Sequence, residues 1–190
     1  MRDAGVGCWQ GWHMTPGTLV LLHAPLATAA VWGPIPETLR SHGADVVVPE
    51  IHDQIGDHGD DHNGAQRPPG TGRYVARAAL EIAAHRPAQP LVLVAHGAAG
   101  AVLPKLGAAQ RAAHRTVGGY VLVDAEFPEP AELRGDWPDA PCGYLRTAEP
   151  YELEARQARL RGWPVREPAG GHAGTLADAA EALRELIAAL

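Results

Sequence analysis

Apolar positions along this chain follow two patterns that alternate. Short, nearly continuous apolar runs lie at Thr18–His23, Asp45–Pro49, Leu91–Ala95, Gly119–Val123, Cys142–Arg146 and Trp163–Glu167, and each reads as a strand buried on both faces. Between them the apolar positions recur at helical spacing. Ala29–His42 carries Val31, Trp32, Ile35 and Leu39 on one side, with Gly43 just past its end. Arg73–His85 carries Val75, Ala79, Leu80 and Ile82. A helix of small residues runs from Ala98 to about His114, a charged one spans Tyr151–Leu160, and an amphipathic one spans Leu176–Leu190. Ala125–Pro141 is rich in Pro, Glu and Asp and reads as an irregular connection with at most a helical turn. Strands alternating with helices predict an α/β three-layer sandwich around a mostly parallel six-stranded sheet. Right-handed crossovers then bring all strand C-termini to one edge, where such sheets bind ligands.

Length and charge narrow this picture. The 190 residues suit a single domain over 18–190, preceded by a flexible extension at 1–17. Met14-Thr15-Pro16-Gly17 looks like a natural start. The N-terminus lacks the basic start and apolar run of a secretory signal, and no apolar stretch reaches the roughly 20 residues of a membrane span. A net charge of -6, with no basic stripe, argues against nucleic acid as a partner. Cys8 and Cys142 make no disulfide framework, so the expected location is the cytoplasm. His52, Asp53, Asp57, His58, Asp60, Asp61 and His62 cluster in one segment, but their spacing fits no zinc or calcium loop. That segment reads as a solvated surface loop. The expectation is no metal, no cofactor and no membrane, with a homodimer left open.

Chemistry-bearing residues concentrate at three places on the predicted ligand edge. Leu21-Leu22-His23-Ala24-Pro25-Leu26 follows the first strand, with Trp32 downstream. Ala95-His96-Gly97-Ala98-Ala99-Gly100 joins the third strand to its helix. Gly170-Gly171-His172 precedes the last helix. In this order they resemble an α/β-hydrolase over residues 18–190, similar to the branch of methyl-ester esterases and hydroxynitrile lyases. The resemblance implies an oxyanion loop after His23, a nucleophile elbow centred on position 97, and His172 as the general base. The chain departs from that family twice. The cap between Val123 and Cys142 shrinks to a short linker, and position 97 is Gly where the family has Ser.

Gly97 suits the positive φ of an elbow, and the helix after it still directs N–H groups at the site. No other side chain replaces the hydroxyl. Ser41 is the only Ser and lies at a helix C-terminus on the opposite edge, Cys142 begins a strand there too, and neither Thr28 nor Thr147 pairs with a base at a helix N-terminus. His172 needs an acid to fix its tautomer, and the candidates are Glu149, at the usual position of the family, and Asp124. Pro25 has no N–H where the family donates one, so Ala24 or Leu26 would act with Ala98 as oxyanion donors. His23 and His96 flank the site as packing or hydrogen-bonding residues, and Trp32 belongs to the core.

The residues thus suggest a proton-transfer enzyme without acyl chemistry. It would carry out cyclisation, elimination or isomerisation on a small, largely apolar carbonyl compound. Two alternatives stay open: an esterase or lipase inactivated at its nucleophile position, and a small-molecule-binding protein that has lost chemistry.

Overall fold

The computed structural model describes residues 17–51, 70–129, 137–168 and 179–190. Six strands form one sheet: β1 (Thr18–Leu22), β2 (Val46–Val47), β3 (Leu91–His96), β4 (Val117–Val123), β5 (Cys142–Leu145) and β6 (Val165–Arg166). The order is β2-β1-β3-β4-β5-β6, and every neighbouring pair is parallel, where the sequence predicts a mostly parallel sheet. Five α-helices accompany it: α1 (Ile35–Ser41), α2 (Thr71–Ala84), α3 (Leu103–Ala112), α4 (Glu152–Leu160) and α5 (Ala180–Ala188).

Side-chain alternation sorts the strands' residues into two cores. Leu19, Leu21, Val92, Val94, Val121 and Val123 pack with Trp32, Ile35, Leu183 and Leu186. Val20, Leu22, Leu93, Ala95, Leu122 and Tyr144 pack with Tyr74, Ala78, Ile82 and Leu103 on the other face. A parallel sheet needs cover on both sides, and this period of two supplies an apolar surface to each. The strand order reverses between β1 and β3, and the C-terminal ends of the strands at such a switch point are where open α/β sheets bind ligands.

Several predicted bounds shift, each for a local reason. The helix expected at Ala29–His42 breaks at Gly33-Pro34 into a 3-10 turn, Ala29–Trp32, and α1. Pro34 has no N–H to carry the helix through. The helix expected from Ala98 starts as a 3-10 turn, Gly97–Val102, and becomes α-helical only at Leu103. Pro104 cannot donate to the Gly100 carbonyl, so it belongs in a first α-helical turn. Edge strands β2 and β6 are two residues each, shorter than their apolar runs. β4 begins earlier than expected, at Val117.

The connection from β4 to β5 has no regular element among its described residues, as its composition predicts. Aromatic rings cover the sheet there. Tyr120, Trp137, Trp163, Phe127 and Tyr144 form a chain of contacts with centroids 5.4 to 6.0 Å apart. The Arg161 guanidinium lies 4.4 Å from the centre of the Phe127 ring and closes the outer side.

Candidate active site

Gly97 follows β3 with φ at 60° and turns the chain sharply into the following helix. A Cβ built there would meet only the Ala24 Cβ, at 3.7 Å, which is ordinary contact. Torsion therefore favours glycine at position 97, and crowding does not. Three residues on, the opposite holds. A Cβ on Gly100 would sit 2.3 Å from the Glu126 carbonyl oxygen and 2.9 Å from the Ala125 Cβ. This close approach pins the helix start against the segment after β4. Ala95 and Ala99 are fully buried beside the turn, while Ala98 is exposed. The first N–H groups of that helix have no intrahelical acceptors and face the same edge.

The second wall is the loop after β1. The Ala27 N–H donates to the Ala24 carbonyl at 3.0 Å and closes a turn with Pro25 and Leu26 at its centre. Leu26 has φ at 67°, the sign required at the third position of a type II turn, and it is 73% exposed. His23 anchors this turn. Its Nε2 accepts the Ile51 N–H at 3.3 Å, so Nδ1 bears the proton and donates to the Ala24 carbonyl at 3.0 Å. The Tyr74 hydroxyl donates to the His23 carbonyl. With both ring nitrogens engaged and 1% exposure, His23 holds the turn after β1.

Asp124 follows β4 with φ at 43° and is buried. Its Oδ1 accepts the N–H of Thr147 at 2.8 Å and of Ala148 at 3.3 Å, and its Oδ2 accepts the Thr147 hydroxyl. The carboxylate thus ties the ends of β4 and β5 together. Sequence reasoning considered Thr147 only as a nucleophile and missed this brace. An Asp at one strand end and a Thr just after the next was the available signal. Glu149, the other acid, is exposed at the start of a 3-10 turn, Glu149–Tyr151. His172 lies outside the described residues, as does the His- and Asp-rich segment.

Beside this brace, Arg146 is almost fully buried in an ionic cluster. It pairs with Glu152 at 2.8 Å and with Glu167 at 2.8 Å, and Arg159 pairs with the same two carboxylates. The Arg146 guanidinium holds the Glu167 carboxyl below its ordinary range. The cluster fixes α4 against the ends of β5 and β6, next to the Thr147 turn.

His96 closes β3 on the face shared with Val92 and Val94. Its ring meets Trp32 edge-on, with centroids 5.8 Å apart. Burial lowers its pKa from the ordinary histidine value, against an opposing pull from the Asp124 charge. Trp32 is fully buried, as expected of a core residue, and its indole Nε1 has no hydrogen-bond partner among the described residues.

The described residues offer no alternative nucleophile at this edge. Ser41 ends α1 and donates to the Thr38 carbonyl at 2.7 Å. Cys142 is buried at the start of β5, and burial pushes its thiol up to about 12. Thr147 is committed to Asp124, and Thr28 stands at the N-cap position of the turn at Ala29 without a side-chain cap hydrogen bond. Among the described residues no three His, Cys, Asp or Glu side chains could hold a metal, and no helix is long and apolar enough to cross a membrane. The cleft lined by Gln89, Pro90, Thr116, Val117, Asp139 and Pro141 opens at the other edge of the sheet and holds none of the candidate residues.

No protein-family model and no curated protein matches this chain. Solved structures do match in fold. An extracellular α/β-hydrolase from a Paenibacillus species is similar at 19% identity and TM-score 0.62, covering 90% of this chain and 98% of that one. The NocB thioesterase domain matches at 18% identity and TM-score 0.62, covering 91% and 95%. The pyrethroid hydrolase PytH matches at 14% identity and TM-score 0.63, covering 91% and 98%. Together with the all-parallel sheet and the glycine elbow at its switch point, these matches give the chain an α/β-hydrolase fold.

Proposed function

We propose that this chain is an enzyme of α/β-hydrolase fold that moves protons on a small apolar carbonyl compound and forms no acyl-enzyme. The observation that carries this reading is the elbow itself. Gly97 keeps the left-handed turn and presents no side chain, and no described hydroxyl or thiol at that edge is placed to attack. The remaining groups suit enolisation. Helix N–H groups from Ala98 onward stabilise a developing oxyanion, helped by a donor from Ala24 or Leu26. His172 acts as base on the strength of its sequence position. Asp124, buried and braced by Thr147, is the acid partner taken in this reading, with Glu149 the alternative. Cyclisation, elimination and isomerisation all begin from such a proton abstraction.

The space at position 97 favours one competing reading. Because a Cβ there meets nothing closer than 3.7 Å, the site would also accommodate a serine, as in an esterase that has lost its nucleophile. One set of assays separates the two. Wild type, His172→Ala and Gly97→Ser are incubated in D2O with a panel of small ketones and followed by NMR, and in parallel with short acyl esters. Wild-type exchange of α-protons that His172→Ala lacks supports proton transfer. Absence of exchange with every ketone, or strong ester hydrolysis gained by Gly97→Ser alone, overturns it in favour of the esterase reading.

A further inference from the structure

The loop after β1 spends its backbone groups unequally. The Tyr74 hydroxyl, from α2, donates to the His23 carbonyl. The Ala24 carbonyl accepts twice, from His23 Nδ1–H and from the Ala27 N–H, each at 3.0 Å. Pro25 has no N–H. That leaves the N–H groups of Ala24 and Leu26 without an acceptor among the described residues. Leu26 is exposed at the tip of the turn, where water serves its N–H. Ala24 is half-buried, and its methyl carbon is the atom nearest to position 97, 3.7 Å from where a Cβ would stand. An unbonded N–H on such a residue calls for an acceptor from outside the loop.

Peptide geometry says where that N–H points. The His23–Ala24 bond is trans, so the His23 C=O and the Ala24 N–H share a plane and point in opposite directions. Tyr74 holds the carbonyl toward α2 and thereby turns the Ala24 N–H away from it. Backbone bond lengths of about 1.5 Å then keep the Ala24 nitrogen within about 7 Å of the vacant Cβ position at residue 97. The Ala98 N–H, directly after that position, has no intrahelical acceptor. Burial holds the Tyr74 hydroxyl well above the ordinary tyrosine range, so it stays protonated and keeps donating.

We propose that the N–H groups of Ala24 and Ala98 together bind the carbonyl oxygen of the substrate, and that Tyr74 is the positioning residue that sets the first of them. The substrate class rests on the proton-transfer reading above. The family resemblance puts this donor at position 25, so a donor one residue earlier, aimed from α2, is a departure that belongs to this chain. Enolisation moves charge onto the bound oxygen, and fixed donors lower its cost most when that charge is largest.

Sodium butyrate, an oxyanion with a short apolar tail, is the probe. It is titrated into the intact, isotope-labelled protein and followed by NMR of assigned amides. The Ala24 and Ala98 amides are expected to shift together along one saturation curve, while Leu26 stays still. Tyr74→Phe keeps the ring in the core and is expected to need roughly 10-fold more butyrate. In exchange of 2-heptanone α-protons the same variant is expected to lower kcat roughly 10-fold with KM little changed. If Tyr74→Phe does not fold, replacing Ala24 by lactic acid through nonsense suppression removes the N–H alone and is read in the same two ways. An Ala24 amide that does not shift, or a Leu26 amide that shifts in its place, overturns the donor assignment. Equal butyrate curves for Tyr74→Phe and wild type overturn the role of Tyr74. Butyrate binding involves no proton transfer, so the two readings fail separately. Joint shifts of Ala24 and Ala98 without any ketone exchange remove the proton-transfer reading and leave the donor pair. Ketone exchange with an unmoved Ala24 does the reverse.

Discussion

The two edges of the sheet use the same left-handed backbone for different ends. At the N-terminal edge, Gly43, His114 and Gly162 carry positive φ just past helices α1, α3 and α4. Each is followed by a residue whose N–H returns to a carbonyl in the last turn: Ala44 to Leu39, Arg115 to Gln110 and Trp163 to Ala158, at 2.9 to 3.1 Å. These are ordinary helix caps, and their torsion is repaid by hydrogen bonds that end the helix. Arg86 follows α2 in the same way, but the next residue is Pro87, which has no N–H to return. At the C-terminal edge, Leu26, Gly97 and Asp124 follow β1, β3 and β4, again with positive φ. None of them ends an α-helix. They follow three adjacent strands at one edge of the sheet, and two of the three are not glycine. Backbone strain gathered at a binding edge, with no capping role, is what a site requires and a scaffold does not.

Substitutions can break or sharpen this contrast, and the largest effect belongs to the close approach behind the elbow. Gly100→Ala forces a methyl group into the Glu126 carbonyl and should destabilise the fold by roughly 3 kcal/mol in chemical denaturation. A cost under about 0.5 kcal/mol would mean that this approach is not tight. Thr147→Val comes next. It removes a hydroxyl from the buried Asp124 carboxylate and should cost about 1–3 kcal/mol, with Thr147→Ser close to wild type. Equal losses for both variants would show that the methyl group, and not the brace, matters.

Smaller effects test the two edges directly. Leu26→Gly and His114→Gly each relieve a left-handed side-chain residue and should stabilise by up to about 1 kcal/mol. Only Leu26→Gly should also weaken binding of an apolar ketone, measured by titration. If both leave binding untouched, the strain after β1 is mere scaffold. The smallest effect is in pH. His96 has a folded pKa below its unfolded value, so the unfolded state binds more protons as the medium turns acid. Its contribution is full above the unfolded value of about 6.5 and is lost as pH falls below it. His96→Phe should flatten that part of the stability profile, and an unchanged slope would place the titration elsewhere.

The apolar runs revealed all six strands, and the alternation of strands with helices revealed the parallel order, because burial on two faces leaves a direct mark on the sequence. The marks were coarser at boundaries. Val46–Val47 and Val165–Arg166 pair over two residues each, because the edge strands have one neighbour to bond. The break at Gly33-Pro34 and the 3-10 start before Pro104 were visible as residues but not read as boundaries. At the site, the elbow was legible from small residues around position 97. The bonds of His23 to Ile51 and of Asp124 to Thr147 were not, since these partners lie more than 20 residues apart in the chain.

Local chemistry written in the chain therefore settled the strand–turn–helix unit at Gly97, the proline without an N–H at position 25, and the lack of a serine at the ligand edge. Such features depend on a residue's own torsions, donors and atoms. Tertiary structure alone decided how two similar histidines are held. Ile51 and the Ala24 carbonyl engage the ring of His23, while the ring of His96 packs edge-on against Trp32. It likewise separated a buried, braced Asp124 from an exposed Glu149. Burial and hydrogen bonding are properties of neighbours, and the neighbours come from distant parts of the chain.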